Sequence, residues 1–315
     1  MLYRSVDRRR VLAAAALGRT LEDPGPVSDK GELLHAVSGE ILDVSPHLII
    51  LETPEGREER LVIAPWATAW RGDVTAPADL PVGTRVMVRT LHAGRVAERI
   101  WGDITRITGV IERVDGGSGD RTMEIYCGPH RGHRTVVIPY ASSGRIQVRH
   151  PKLEPGYLFD AIGVVENGVA RARLPATSQP PYRWTAVPEP SAYGGTQWPI
   201  SATVTWSDVF DSDERGAAYP MLEPSESGCD EAGASCAGLP YLSLGSILNV
   251  RNTCAGRTSI VPIVTCGCLA GRFCDRCLEC GTSPRGRIAE LSPSSFVELG
   301  GDLTKGCFNA QVGLG

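Results

Sequence analysis

Nine cysteines crowd the last third of the chain: Cys229, Cys236, Cys254, Cys266, Cys268, Cys274, Cys277, Cys280 and Cys307. The densest run reads Cys266-x-Cys268-x5-Cys274-x2-Cys277-x2-Cys280. Two chemistries suit such spacing. Thiolates at C-x2-C separation can hold a zinc ion, with Cys268, Cys274, Cys277 and Cys280 as the set. Alternatively all nine are disulfide candidates in an oxidising compartment. No histidine follows His150. That removes the usual nitrogen ligand and favours disulfides, with no cofactor expected and zinc kept as the alternative. Nine is odd, so one thiol stays unpaired unless it reaches Cys127 or another chain. Upstream, Cys127-Gly128-Pro129-His130-Arg131-Gly132-His133 carries ligand types at C-x2-H-x2-H. It is one short loop without a distant fourth ligand, so a solvated hairpin tip is the simpler expectation.

The C-terminal elements that must position these groups can be read from pattern. Ala202-Thr203-Val204-Thr205-Trp206-Ser207 reads as an opening strand. Leu244 to Asn252 is a further strand, followed by the turn Thr253-Cys254-Ala255-Gly256-Arg257. Gly286-Arg287-Ile288-Ala289-Glu290-Leu291 leads into a short helix, with Ser292 as N-cap, Pro293 as first residue and Gly300 as stop. Gly306 to Val312 closes the set. In this order the stretches resemble a double-psi β-barrel of the RlpA, expansin and barwin group. That pattern is "G-x-x-V-x-V-x-N", the turn "N-G-R", then "G-R-I-I-D-L-S" and a helix. The resemblance covers about residues 201–315.

The resemblance implies a cell-wall or glycan protein and raises the question of cutting or binding. In cleaving members the acidic residue before "L-S" is the general acid, and here Glu290 holds its place. A carboxyl can donate a proton near neutrality when burial raises its pKa. Glycosidic cleavage usually wants a second carboxylate. The family's later acidic position aligns with Ile263-Val264-Thr265-Cys266-Gly267-Cys268, which has none. Asp275, or Glu279, could supply one from the cysteine loop, so the catalytic candidates are Glu290 and Asp275. Arg287 and Arg257, with Arg285, could grip a peptide-stem carboxylate through the planar guanidinium fork. Trp206 completes the substrate-binding candidates. The plain alternative for Glu290 is an ion pair with Arg287 or a cap on the next helix.

The first half contains an internal repeat. Gly39-Glu40-Ile41-Leu42-Asp43-Val44 returns as Gly109-Val110-Ile111-Glu112-Arg113-Val114. Leu61-Val62-Ile63 is echoed by Val136-Val137-Ile138. Gly83 to Val88 then Gly94 to Ile100 matches Gly156 to Ala161 then Gly168 to Leu174. Each copy reads as about five short strands with period-two alternation. The pattern resembles small OB-like barrels. The expected fold is therefore all-β: two repeated OB-like barrels, 31–104 and 105–175, a Pro-rich linker, 176–200, and the cysteine-rich double-psi barrel, 201–315. Residues 1–30 are expected to be a flexible tail or a weak export signal, from Arg8-Arg9-Arg10 before a short apolar run.

Bulk composition narrows partners. The 315 residues carry a net charge of -4 and 22% charged residues. A nucleic acid as main partner is disfavoured, because it needs a basic face. No apolar run approaches a transmembrane helix. The expected function is engagement of peptidoglycan or another polysaccharide at an extracellular or envelope location, binding with weak or no cleavage. One rival is a lytic-transglycosylase-like enzyme using Glu290. The other is a structural or assembly component, surface or phage-like, whose N-terminal barrels contact proteins.

Overall fold

The computed structural model describes residues 33–188, 198–210, 214–223, 225, 235–267 and 269–315. The expected N-terminal tail therefore lies outside the described residues, as do Cys229, Cys268 and part of the linker. The chain is all-β, with three small closed barrels of five, five and six strands. It divides into two compact units, Met1–Gly102 and Asp103–Gly315.

The first unit holds barrel one. Its strands are β1 (His35–Val44), β2 (Leu48–Glu52), β3 (Glu58–Trp70), β5 (Arg85–Leu91) and β6 (Val96–Gly102), with the two-residue β4 (Val74–Thr75) appended to β3. Alternating side chains such as Ile49, Leu51 and Val88 fill the interior. Each such burial contributes roughly 1.5–3 kcal/mol.

The second unit opens with barrel two: β7 (Ile104–Asp115), β8 (Arg121–Tyr126), β9 (His133–Ile138), α1 (Tyr140–Arg149), β10 (Leu158–Glu166) and β11 (Val169–Pro175). Its strands close in the same cyclic order as those of barrel one. The repeat noted in sequence is thus a repeat of topology. Val62 and Ile63 pair in parallel with Val96 and Ala97 in barrel one. Val136 and Val137 pair in parallel with Ala170 and Arg171 in barrel two. The shared glycines have a shared cause. A Cβ on Gly39 would stand 2.5 Å from the Glu52 carbonyl oxygen, and one on Gly109 would stand 2.6 Å from that of Tyr126. Only glycine lets the first strand bend that closely over the second. The copies differ after the third strand, where barrel two inserts α1, a helix not expected from sequence.

Barrel three has six strands: β12 (Ile200–Trp206), β13 (Ala217–Tyr219), β14 (Ile247–Asn252), β15 (Arg257–Cys266), β16 (Arg287–Leu291) and β17 (Cys307–Leu314). They close in the order β12-β16-β13-β15-β14-β17. β12 runs parallel to β16, and β13 parallel to β15. The β14–β15 turn is fixed by Asn252. Its Oδ1 accepts from the Cys254 and Ala255 amides at 2.9 and 3.2 Å, and its Nδ2 donates to the Leu299 carbonyl at 2.9 Å. Behind β16 lies α2 (Pro293–Glu298), where the Ser292 hydroxyl accepts from the Ser295 amide. Phe296 of this helix stacks on Phe308 at 4.7 Å between centroids.

Candidate functional site

Strand β16 carries both Arg287 and Glu290, three residues apart. Strict alternation would send them to opposite faces. A bulge prevents this: Thr203 faces Arg287 while the next residue, Val204, faces Ala289. The extra residue, Ile288, resets the alternation and brings the two charges to one side. Gly286 stands just before the strand, where a Cβ would lie 2.9 Å from the Cys274 Cα and the Phe273 carbonyl oxygen.

Arg287 is fully buried and is the hub of the site. Its Nη2 donates to Asp160 Oδ2 of β10 and, at 2.9 Å, to Thr177 Oγ1. Its Nε lies 3.4 Å from Asp275 Oδ1, and its Nη1 lies 3.6 Å from Glu290 Oε1. The guanidinium also covers the Phe273 ring at 3.9 Å. On the other side of Asp160, Arg106 of β7 donates from Nε at 2.9 Å and from Nη2 at 2.7 Å. Arg131, from the β8–β9 loop, donates to Glu290 Oε2 and Ser207 Oγ at 3.3 and 3.2 Å.

Three guanidinium groups therefore face three carboxylates: Arg106, Arg287 and Arg131 against Asp160, Asp275 and Glu290. This balance makes burial tolerable, since an unpaired buried charge costs several kcal/mol or about that. Burial alone would raise the Asp160 pKa, but the adjoining Arg106 and Arg287 hold it well below the usual carboxylate range. Asp275 moves the other way. Burial raises it despite the nearby Arg287. Burial would also lower the Arg287 pKa, but Asp160, Asp275 and Glu290 together raise it.

His150 sits beside this cluster. Its Nε2 accepts from the Asp160 amide at 3.1 Å, so the ring is neutral with its proton on Nδ1. Burial lowers its pKa to about 4, only partly opposed by Asp160.

The sequence candidates fall into distinct places. Glu290, Asp275 and Arg287 come together. Glu290 is only 2% exposed. Its ion pair with Arg287 is the plain alternative anticipated for it. Trp206 is also buried, with its indole N–H donating to the Leu303 carbonyl at 3.0 Å, so neither ring face is open to a sugar. Arg257 opens β15 and passes beside Gly300. Arg285 donates to the Ala237 carbonyl at 3.3 Å. Glu279 pairs with Lys305 at the surface.

The cysteines resolve into cross-links. Cys236 joins Cys274, Cys254 joins Cys280, and Cys277 joins Cys307. Cys266 is also disulfide-bonded. Cys274, Cys277 and Cys280, three of the four cysteines in the zinc alternative, thus each reach a different distant sulfur. Cys127 is the free thiol among the described residues. Burial pushes its pKa up to about 11, while Arg134 and Arg131 pull it down.

Asp160, Arg106, Arg131 and Thr177 were not anticipated. The signal was present for two of them. Arg106 in Ile104-Thr105-Arg106-Ile107 and Asp160 in Phe159-Asp160-Ala161-Ile162 are charges inside apolar strands. Such charges are buried only when paired.

No known protein family and no curated protein matches the sequence.

Proposed function

We propose that this chain is an extracellular or envelope glycan-binding protein. In this reading its C-terminal barrel is of double-psi type and engages peptidoglycan or another polysaccharide without cutting it. Three supports stand behind the class. The motifs from Gly245 to Phe296 fall, in their sequence order, on β14, its turn, β16 and α2. The two parallel strand pairs suit a barrel with crossed connections. The disulfides point to an oxidising compartment. Among the described residues no helix is long and apolar enough to cross a membrane. Barrels one and two serve, in the same reading, as spacers or protein-contact modules.

One observation carries binding over cutting. Both carboxylates that cleavage would use, Glu290 and Asp275, are buried and paired to the same guanidinium. A general acid must lie within hydrogen-bond reach of the glycosidic oxygen. A 2% exposed Glu290 offers no such approach.

The test is sedimentation of the full chain with purified cell-wall sacculi, with chromatography of the supernatant for muropeptides. Co-sedimentation without release is expected. Release that disappears in Glu290→Gln would establish the enzyme instead. Neither binding nor release, together with self-association, would favour an assembly component.

A further inference from the structure

Beside the Arg131–Glu290 contact lies a cleft of about 390 Å³. One wall comes from barrel two, the other from Ser207 to Val209, just past β12. Arg131, Arg134, His130, His133, Ser207 and Asp208 converge on it, and the Cys127 side chain forms part of the wall. We propose that this cleft is a binding site for a small hydroxylated carboxylate of the sugar-acid class.

Charge and access set the ligand's sign. Arg131 is 18% exposed while its partner Glu290 is 2% exposed. The open space therefore meets the guanidinium, with the carboxylate behind it. Arg134 presents a second guanidinium, balanced in the wall by Asp208 at 3.3 Å. The Arg131 bonds to Ser207 and Glu290 are 3.2 and 3.3 Å. Charge-assisted bonds are ordinarily about 2.7–2.9 Å, so the Arg131 guanidinium has strength to gain from an incoming carboxylate, while Arg134, held to Thr105 at 2.8 Å, adds positive charge beside it. A planar fork matches that shape in bidentate fashion.

Size and lining set the rest. Ligand sites run from roughly 300 Å³ upward, so this cleft suits one ring rather than a threaded chain. Ser207 offers a partner for a hydroxyl group, and the His133 ring, held to Glu112 at 3.1 Å through Nε2, forms part of the same wall. Asp208 in the same wall disfavours a phosphate dianion relative to a monoanion.

The inference stands apart from the glycan reading. A free sugar acid can occupy the cleft whether or not barrel three touches a cell wall, and sedimentation with sacculi does not bear on it. The experiment is titration calorimetry of the full chain with D-glucuronate, D-glucose and inorganic phosphate. Saturable binding of glucuronate in the millimolar range is expected, with glucose weaker by roughly tenfold or more. Arg134→Gln and Arg131→Lys should each weaken glucuronate by roughly tenfold, the second because an ammonium lacks the fork. Glucuronate should also slow alkylation of Cys127 by N-ethylmaleimide several-fold, followed by intact mass without reductant. No saturable heat up to about 50 mM glucuronate would overturn the proposal. So would equal binding of glucose, tighter binding of phosphate, or unchanged affinity in Arg134→Gln.

Discussion

At the scale of single residues, the centre of the molecule is the chain of charges from Arg106 through Asp160 to Arg287. Asp160 accepts from Arg106, Arg287, Thr108 and Thr177, so replacing it strips four donors at once. Asp160→Asn should destabilise the fold by about 3–5 kcal/mol, because two guanidinium groups then lack their shared anion. Chemical denaturation read by circular dichroism measures this. A loss under about 1 kcal/mol would mean that water reaches the cluster. The cluster also predicts a pH dependence. His150 has a folded-state pKa of about 4, lowered by burial from 6.5. Its contribution is therefore complete above pH 6.5 and is lost as pH falls from there toward 4. The full effect is on the order of 3 kcal/mol. Asp160 is also depressed, so its contribution fades only below its ordinary value near 3.8. Unfolding free energy should thus begin to fall in the weakly acidic range. His150→Gln should remove that early phase and leave the one below pH 4.

At the scale of elements, each strand or helix rests on a few local rules that can be broken singly. Ser292→Ala removes the hydroxyl that accepts from the Ser295 amide and, at 3.3 Å, from the Gly216 amide. It should cost about 1 kcal/mol, seen as a lower denaturation midpoint at unchanged slope. The Cys277–Cys307 link spans 30 residues and ties the cysteine loop to β17. Replacing both cysteines by alanine should cost roughly 2–5 kcal/mol. These elements were legible to unequal degrees. The five-strand repeat was visible because Gly39 and Gly109, and the paired valines after them, answer to backbone approach and alternation. Both leave a mark in local sequence. The α2 cap was visible for the same reason, in Ser292-Pro293. Helix α1 was not. Ser142, Ser143, Gly144 and Val148 give Tyr140–Arg149 weak helical propensity, and the helix is held by Ile146 packing into the barrel core. The bulge at Ile288 was hidden as well, since it exists only in the register of β16 against β12. Without that register, Arg287 and Glu290 could not be placed on one side. Asp160, the partner that Arg287 shares with Arg106, comes from 127 residues away in sequence, beyond any local pattern.

At the scale of the whole molecule, the same charges tie barrels two and three into one unit. Asp160 and Arg106 belong to barrel two, Arg287 and Glu290 to barrel three, and Arg131 crosses from the first to the second. The linker adds a strap: the Arg272 carbonyl accepts from the Tyr182 hydroxyl at 2.9 Å, and the Arg272 guanidinium lies over the Trp184 ring at 4.9 Å. Barrel one, up to Gly102, forms a separate unit. Buried charge makes this division a cooperative one. Without the Asp160 of its neighbour, Arg287 would keep Asp275 and Glu290 beside Nε and Nη1 but would bury its Nη2 donor without that carboxylate. Calorimetry of the full chain should therefore show two transitions, with barrels two and three unfolding together. Leu51→Ala, in the barrel one core, should cost about 2–5 kcal/mol and move only one transition. Asp160→Asn should move only the other, and hydrogen exchange should then report loss of protection in β7 and β10 together with β12 and β16. Loss confined to β7 and β10 would show that barrel three holds Arg287 unaided, and that the two barrels are neighbours rather than a single folding unit.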